Sequence, residues 1–188
     1  MVTFFRYIFS GILFMFAGEF LVNVSFKGTL SGFFGTIVLY IILLTFGYGI
    51  ISFFRKRIVS KWKLLLFITV LFGTLGLFGM EWAIIGNTPW GNPDANQISM
   101  FIWWAGVFVM PLLWNETSPT LVLLRKRSIR YHIFLSGGIL SLALLSFFVP
   151  IMKFIALYFY TYGLYLYSYF MGAFIWKSKE KNNSSLVI

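Results

Sequence analysis

The chain has 188 residues and a formal net charge of +10, with 60% hydrophobic and only 11% charged residues. Soluble globular domains carry about 25% charged residues, so this composition excludes an ordinary soluble domain and indicates membrane spans. The absence of cysteine and the presence of one histidine, His132, exclude disulfides and thiol catalysis and argue against a zinc or haem centre. We therefore predict a membrane protein without a metal or other cofactor.

Six apolar segments are long enough to cross a bilayer, whose hydrocarbon core requires roughly 20 apolar residues per helix. The segments are continuous rather than alternating, which disfavours a closed β-barrel. The sequence predicts an all-α polytopic membrane protein, a single-domain bundle of six transmembrane helices within residues 1–176, followed by a polar cytoplasmic tail at 177–188 that we expect to be disordered. The predicted spans lie at about 4–24, 33–54, 64–86, 98–117, 132–151 and 154–176.

The positive charges are segregated, which indicates a membrane topology rather than a nucleic-acid partner. Arg6 and three clusters hold thirteen of the fifteen lysine and arginine residues, and all thirteen fall on one side of the six-span arrangement. The positive-inside rule places that side and both termini in the cytoplasm. We predict a multi-pass protein of a prokaryotic cytoplasmic (inner) membrane, in contact with the lipid bilayer and with no nucleic-acid partner. The clusters lie at 55–63, 125–130 and 177–181, and Lys27 and Lys153 fall on the opposite side.

Glu19 is the most unusual single residue, because it lies about 15 residues, or roughly 22 Å, into the first predicted span. An ionisable group at this depth is energetically costly and is a functional hypothesis by default. Glu81 lies at a similar height in the third span, and both spans run outwards, so the two carboxylates could face one cavity. Such a pair would bind a cation or a substrate amine. The alternative is that each carboxylate only supports helix packing.

A polar loop separates the third and fourth predicted spans and is the longest polar interruption of the sequence. Its prolines and its glycine favour a fixed conformation, and its oxygen donors could hold a ligand. The alternative is a solvated loop that only reverses the chain. The candidate ligand residues in this segment are Asn87, Trp90, Asn92, Asp94 and Gln97.

Two neighbouring tryptophans, Trp103 and Trp104, follow this loop in the fourth predicted span. An interfacial aromatic belt or simple packing accounts for them without a ligand. Adjacent helical residues point about 100° apart, so we expect at most one of the two to face a central cavity.

A row of tyrosines marks one face of the sixth predicted span. Tyr158, Tyr162, Tyr165 and Tyr169 recur at spacings of 4, 3 and 4, which is a helical period. A hydroxyl facing lipid would lack a hydrogen-bond partner, so we expect this face to point into the bundle. There it would either line a ligand cavity or form an aromatic seam between helices.

These features predict a small integral membrane protein that binds or transports a small solute or cation at an outward-facing site. Glu19 and Glu81 would supply charge, the polar loop a cover, and the tyrosine face the cavity wall. One alternative is a membrane enzyme acting on a lipid or lipid-linked substrate at the outer leaflet, with Glu19, Glu81 or Asp94 as general base. The other is a non-catalytic subunit that docks a membrane protein partner. The sequence assigns no catalytic residue.

Overall fold

The computed structural model describes residues 3–85 and 96–185, and every regular element in these two ranges is helical. Two of the helices continue without a break into π-helical segments, which we name π1 and π2. The elements are α1 (Phe4–Phe20) with π1 (Leu21–Phe26), α2 (Leu30–Arg55), α3 (Lys61–Thr74) with π2 (Leu75–Ile85), α4 (Asn96–Trp114), α5 (Pro119–Leu145) and α6 (Met152–Ser184).

Five of these helices are long and apolar enough to cross a membrane, namely α1 with π1, α2, α3 with π2, α4 and α5. The sixth helix, α6, is not among them, since it carries six tyrosines and its last turns are polar. The prediction of an all-helical chain with several membrane-spanning helices is thus confirmed at this level. The count of six spans and the orientation of the termini are not.

Helix α4 forms the centre of the bundle. Of its most apolar stretch 72% is buried, against 22–44% in the other four candidate spans. Ten consecutive residues, 102–111, are buried, which requires neighbours on every side of the helix. Those neighbours include α1, α3 and α6.

One end of the bundle, which we call the basic end, joins the α2–α3 loop, the α4–α5 loop and the last turns of α6. Lys181 Nζ donates a hydrogen bond to Ser118 Oγ (2.9 Å), and Asn182 Nδ2 donates one to Ser60 Oγ (3.0 Å). Ser178 is fully buried. The prediction of a disordered tail is therefore wrong for residues 177–184, which belong to α6. Adding residues to a helix that has already formed costs little free energy, and these contacts hold its end.

Helix α5 begins at Pro119, well before the predicted fifth span near residue 132. Proline is favourable in the first turn of a helix, and leucine, lysine and arginine are good helix formers, so the basic cluster does not interrupt the helix. Leu121 is fully buried and Leu124 nearly so. This first part of α5 is therefore packed against the bundle as well as charged.

His132 ties three helices together inside the bundle. Its Nδ1 hydrogen-bonds with the Tyr167 hydroxyl of α6, and its Nε2 lies 2.9 Å from the carbonyl oxygen of Leu13 in α1. The Ser136 hydroxyl lies 3.2 Å from the same Nε2. A buried polar side chain with all of these partners stabilises the packing of α1, α5 and α6.

Candidate functional site

Glu19, near the end of α1, is half-buried and is held by two neighbouring donors. Its Oε1 accepts a hydrogen bond from the Tyr40 hydroxyl of α2 (3.0 Å). Its Oε2 accepts one from Nδ2 of Asn23, one helical turn further on (3.0 Å). An ionised carboxylate accepts about four hydrogen bonds, so these two contacts orient Glu19 and leave capacity for a ligand.

Tyr40, Trp103 and Trp104 form an aromatic cluster beside Glu19. The Tyr40 hydroxyl accepts a hydrogen bond from Trp103 Nε1 (3.0 Å), and the Tyr40 ring stacks on Trp104 at 5.7 Å between ring centres. Trp104 Nε1 in turn donates to Glu81 Oε1 (3.0 Å). The two carboxylates therefore lie on the same cluster, Glu19 through Tyr40 and Glu81 through Trp104.

Both carboxylates lie where the backbone departs from a regular α-helix. Glu19 immediately precedes the last residue of α1 before π1, and Glu81 lies within π2. π-Helical turns are rare and are frequent at functional sites. At the end of π1, Gly28 adopts a positive φ of 66°, a conformation that glycine adopts without strain.

Two glycines make room for the large rings around the carboxylates. A Cβ atom at Gly18 would lie 2.5 Å from Tyr160 Cε2, and one at Gly76 would lie 2.0 Å from Trp104 Cγ. Both distances are far below van der Waals contact, so a side chain at either position would displace an aromatic ring. The packing of the Tyr160 ring against α1, and the close approach of π2 to α4, therefore depend on these residues.

Among the predicted ligand residues, Glu19 and Glu81 are thus brought together. Gln97 lies in the first turn of α4 and is partly exposed. Whether any of these residues binds a ligand stays a prediction. The other loop candidates, Asn87, Trp90, Asn92 and Asp94, lie outside the described residues.

The tyrosine face of α6 does not point into the bundle, and that expectation is wrong. Its four side chains are 44–63% exposed. The inward face of α6 instead contains Tyr167, together with small and apolar residues such as Gly163 and Leu164. These allow α6 to pack closely on α5, because small residues let helix backbones approach. The exposed residues are Tyr158, Tyr162, Tyr165 and Tyr169.

Both Trp103 and Trp104 are buried, as the packing interpretation of the two residues requires. Helix α4 is surrounded by other helices, so both side chains find neighbours within the bundle. Tyr40 and Asn23 were not predicted. Asn23 follows Glu19 by four residues, a spacing that places two side chains on one helix face and could have revealed it. Tyr40 gives no comparable signal within the apolar sequence of α2.

No protein-family model, curated protein or solved structure matches the chain significantly.

Proposed function

We propose that this is a multi-pass membrane protein that binds a small cationic solute at the end of the bundle opposite its basic end. The observation that carries the proposal is the convergence of two half-buried carboxylates, Glu19 and Glu81, on one aromatic cluster. Carboxylates within an apolar bundle are costly and are kept where they have a task. Transport of the bound solute is a natural extension of this function.

The chemistry of the site favours an amine or quaternary ammonium group. Glu19 and Glu81 supply opposite charge, and the hydrogen bonds from Tyr40 and Trp104 hold their carboxylate oxygens in place. The hydrogen bonds from Tyr40 and Asn23 fix the Glu19 carboxyl in one position. A preorganised carboxylate binds a cation more tightly, since less ordering is required on binding.

The proposed topology has six spans, with residues 154–176 of α6 as the last. Helix α6 has 33 residues, and its length of about 50 Å exceeds a bilayer core of about 30 Å, so its last turns would project beyond the membrane. The positive-inside rule then favours a cytoplasmic basic end and an external carboxylate site in a prokaryotic cytoplasmic membrane. Asn87, Trp90, Asn92, Asp94 and Gln97 would contribute to an external cover.

The test is a titration of the purified protein in neutral detergent with choline and with methylammonium, followed by tryptophan emission. Because Trp103 and Trp104 adjoin Glu19 and Glu81, a bound cation changes their emission. We expect Glu19→Gln and Glu81→Gln each to weaken binding by about tenfold, the loss typical of one charge-assisted contact. Glutamine keeps the shape and one of the two acceptor oxygens, and thermal unfolding of each variant verifies that it folds.

The matched control is Glu116→Gln, the same substitution at the basic end, which we expect to leave binding unchanged. Sodium chloride at equal ionic strength separates specific binding from general charge effects. Unchanged affinity in both Glu19→Gln and Glu81→Gln, or an equal loss in Glu116→Gln, would rule out this site.

The exposed tyrosine face of α6 favours a second candidate function, a non-catalytic subunit of a membrane complex. Lipid offers no hydrogen-bond partners to exposed hydroxyl groups, so a neighbouring membrane protein that covers this face would stabilise it. A photo-crosslinking residue at Tyr165 should then capture one stoichiometric partner in native membranes. The same residue at Phe46, on the exposed apolar face of α2, should not. Equal labelling at both positions would contradict this role.

A further inference from the structure

A cavity of about 300 Å³ lies at the basic end, far along the bundle from Glu19 and Glu81. It is enclosed by the end of α2, the start of α3, the α4–α5 loop and α6. Its walls are of two kinds. The apolar wall includes Ile51, Leu65 and Phe174, and the polar wall includes Arg55, Lys61 and Glu116.

The polar wall carries net positive charge. The Glu116 carboxylate forms an ion pair with Lys61 and also accepts hydrogen bonds from the backbone N–H groups of Thr117 (3.0 Å) and Ser118 (2.9 Å). The lysine and the glutamate therefore neutralise each other. Arg55 forms no ion pair within the described ranges of the chain. Its guanidinium is left as an uncompensated cation at the mouth of the cavity.

A second guanidinium adds to this positive potential. Arg125 Nη1 donates a hydrogen bond to the backbone carbonyl oxygen of Glu116 (2.6 Å). Among the residues that the structure describes, Arg125 forms no ion pair with a carboxylate. The α4–α5 loop is thus held between cations on α3 and α5.

Along α2 the cavity changes from an apolar wall to a charged wall, as a phospholipid changes from its acyl chains to its headgroup. Arg55 follows Ile51 by one helical turn on α2, a step of about 6 Å from an apolar to a charged position. Val59, at the rim of the cavity, is 97% exposed, so an apolar side chain lies beside the charged mouth. Basic pockets between membrane helices bind anionic headgroups, and the planar guanidinium suits phosphate oxygens.

We propose that this cavity binds one anionic phospholipid, with its phosphate on Arg55 and the start of an acyl chain against Ile51 and Leu65. Soluble phosphate esters share the headgroup chemistry, but the apolar wall selects the lipid. The proposal goes beyond the cation site and is independent of it, because the two sites use different residues at opposite ends of the bundle.

The experiment is native mass spectrometry of the purified full chain in neutral detergent, titrated with dioleoyl phosphatidylglycerol. We expect one retained lipid, and weaker retention of the zwitterionic dioleoyl phosphatidylcholine. Arg55→Gln should weaken phosphatidylglycerol binding by about tenfold. Arg55 is exposed, so the variant folds, which its thermal unfolding will verify. The matched control is Lys56→Gln, which removes the same charge one residue away and outside the cavity, and should change binding less than about twofold.

Two results would overturn the proposal. Equal weakening by Arg55→Gln and Lys56→Gln would mean that the lipid is attracted by overall charge and not by this cavity. If glycerol 3-phosphate at an equal concentration displaced phosphatidylglycerol, the site would recognise a soluble phosphate ester rather than a lipid. Loss of phosphatidylglycerol selectivity in Arg55→Gln alone supports the lipid site.

Discussion

The hydroxyl of Tyr40 links the aromatic cluster to Glu19, so Tyr40→Phe measures the strength of that link. The hydroxyl donates to Glu19 and accepts from Trp103, both at 3.0 Å, and Tyr40 itself is only 2% exposed. Phenylalanine keeps the ring and its stacking on Trp104. The substitution therefore removes two hydrogen bonds between helices and leaves the Trp103 N–H without its partner.

The size of the effect follows from these two bonds. Hydrogen bonds between membrane helices contribute about 0.6 kcal/mol on average, and a buried polar group left without a partner costs about 1–3 kcal/mol. We expect Tyr40→Phe to lower the free energy of unfolding by about 2 kcal/mol. It should also weaken choline binding, because Glu19 loses one of the two groups that orient it.

Reversible unfolding in mixed micelles, followed by circular dichroism, measures this loss. The matched control is Tyr169→Phe, the same substitution on the exposed face of α6, where we expect a change below about 0.5 kcal/mol. If Tyr40→Phe were as neutral as Tyr169→Phe, the hydroxyl would not join the helices, and the proposed role of the cluster in orienting Glu19 would be refuted.

Further predictions concern the packing of π2 and the charges at the basic end. Gly76→Ala should lower the free energy of unfolding by about 2 kcal/mol, because the added Cβ would displace the Trp104 ring. The control is Gly79→Ala in the same segment, where nothing lies within 4 Å of the added Cβ. Thermal unfolding should show that this second variant is nearly neutral. Equal losses would refute the steric argument. For Glu116, burial raises the carboxyl pKa, but hydrogen bonds from Lys61 and the loop backbone outweigh it, and the net pKa is lowered. A lowered pKa stabilises the folded state above the unfolded value of about 4.3, and this stability is lost as pH falls through the folded pKa. Between pH 6 and pH 3 the wild type should therefore lose more stability than Glu116→Gln. Identical pH profiles of the two proteins would contradict this.

The helical fold and the position of the two carboxylates could be predicted from local properties of the sequence. Apolar runs of about 20 residues predict membrane helices whatever their neighbours are. Glu19 and Glu81 stand out because each interrupts such a run near the same end. The residues that join the two carboxylates could not be predicted in this way. Tyr40 lies in an apolar helix, where nothing local distinguishes it from a lipid-facing tyrosine. Only the packing of α2 against α4 reveals its role.

The orientation of α6 and the burial of α4 required knowledge of which helices are neighbours. The hydroxyl argument for Tyr158 to Tyr169 assumed that the chain itself supplies their partners. For Trp103 and Trp104, the 100° angle between adjacent residues does not show whether other helices cover both side chains. Both points concern the arrangement of the whole bundle, which the period of a single helix does not determine.

The last turns of α6 set the order in which the basic end can be completed. Synthesis proceeds from the N-terminus, so the α2–α3 and α4–α5 loops are made well before Lys181 and Asn182 leave the ribosome. Ser60 and Ser118 therefore gain these two hydrogen-bond partners only after the last turns of α6 have been synthesised. The last turns of α6 thus join two loops that were made earlier, and a chain truncated before Lys181 would lack both contacts.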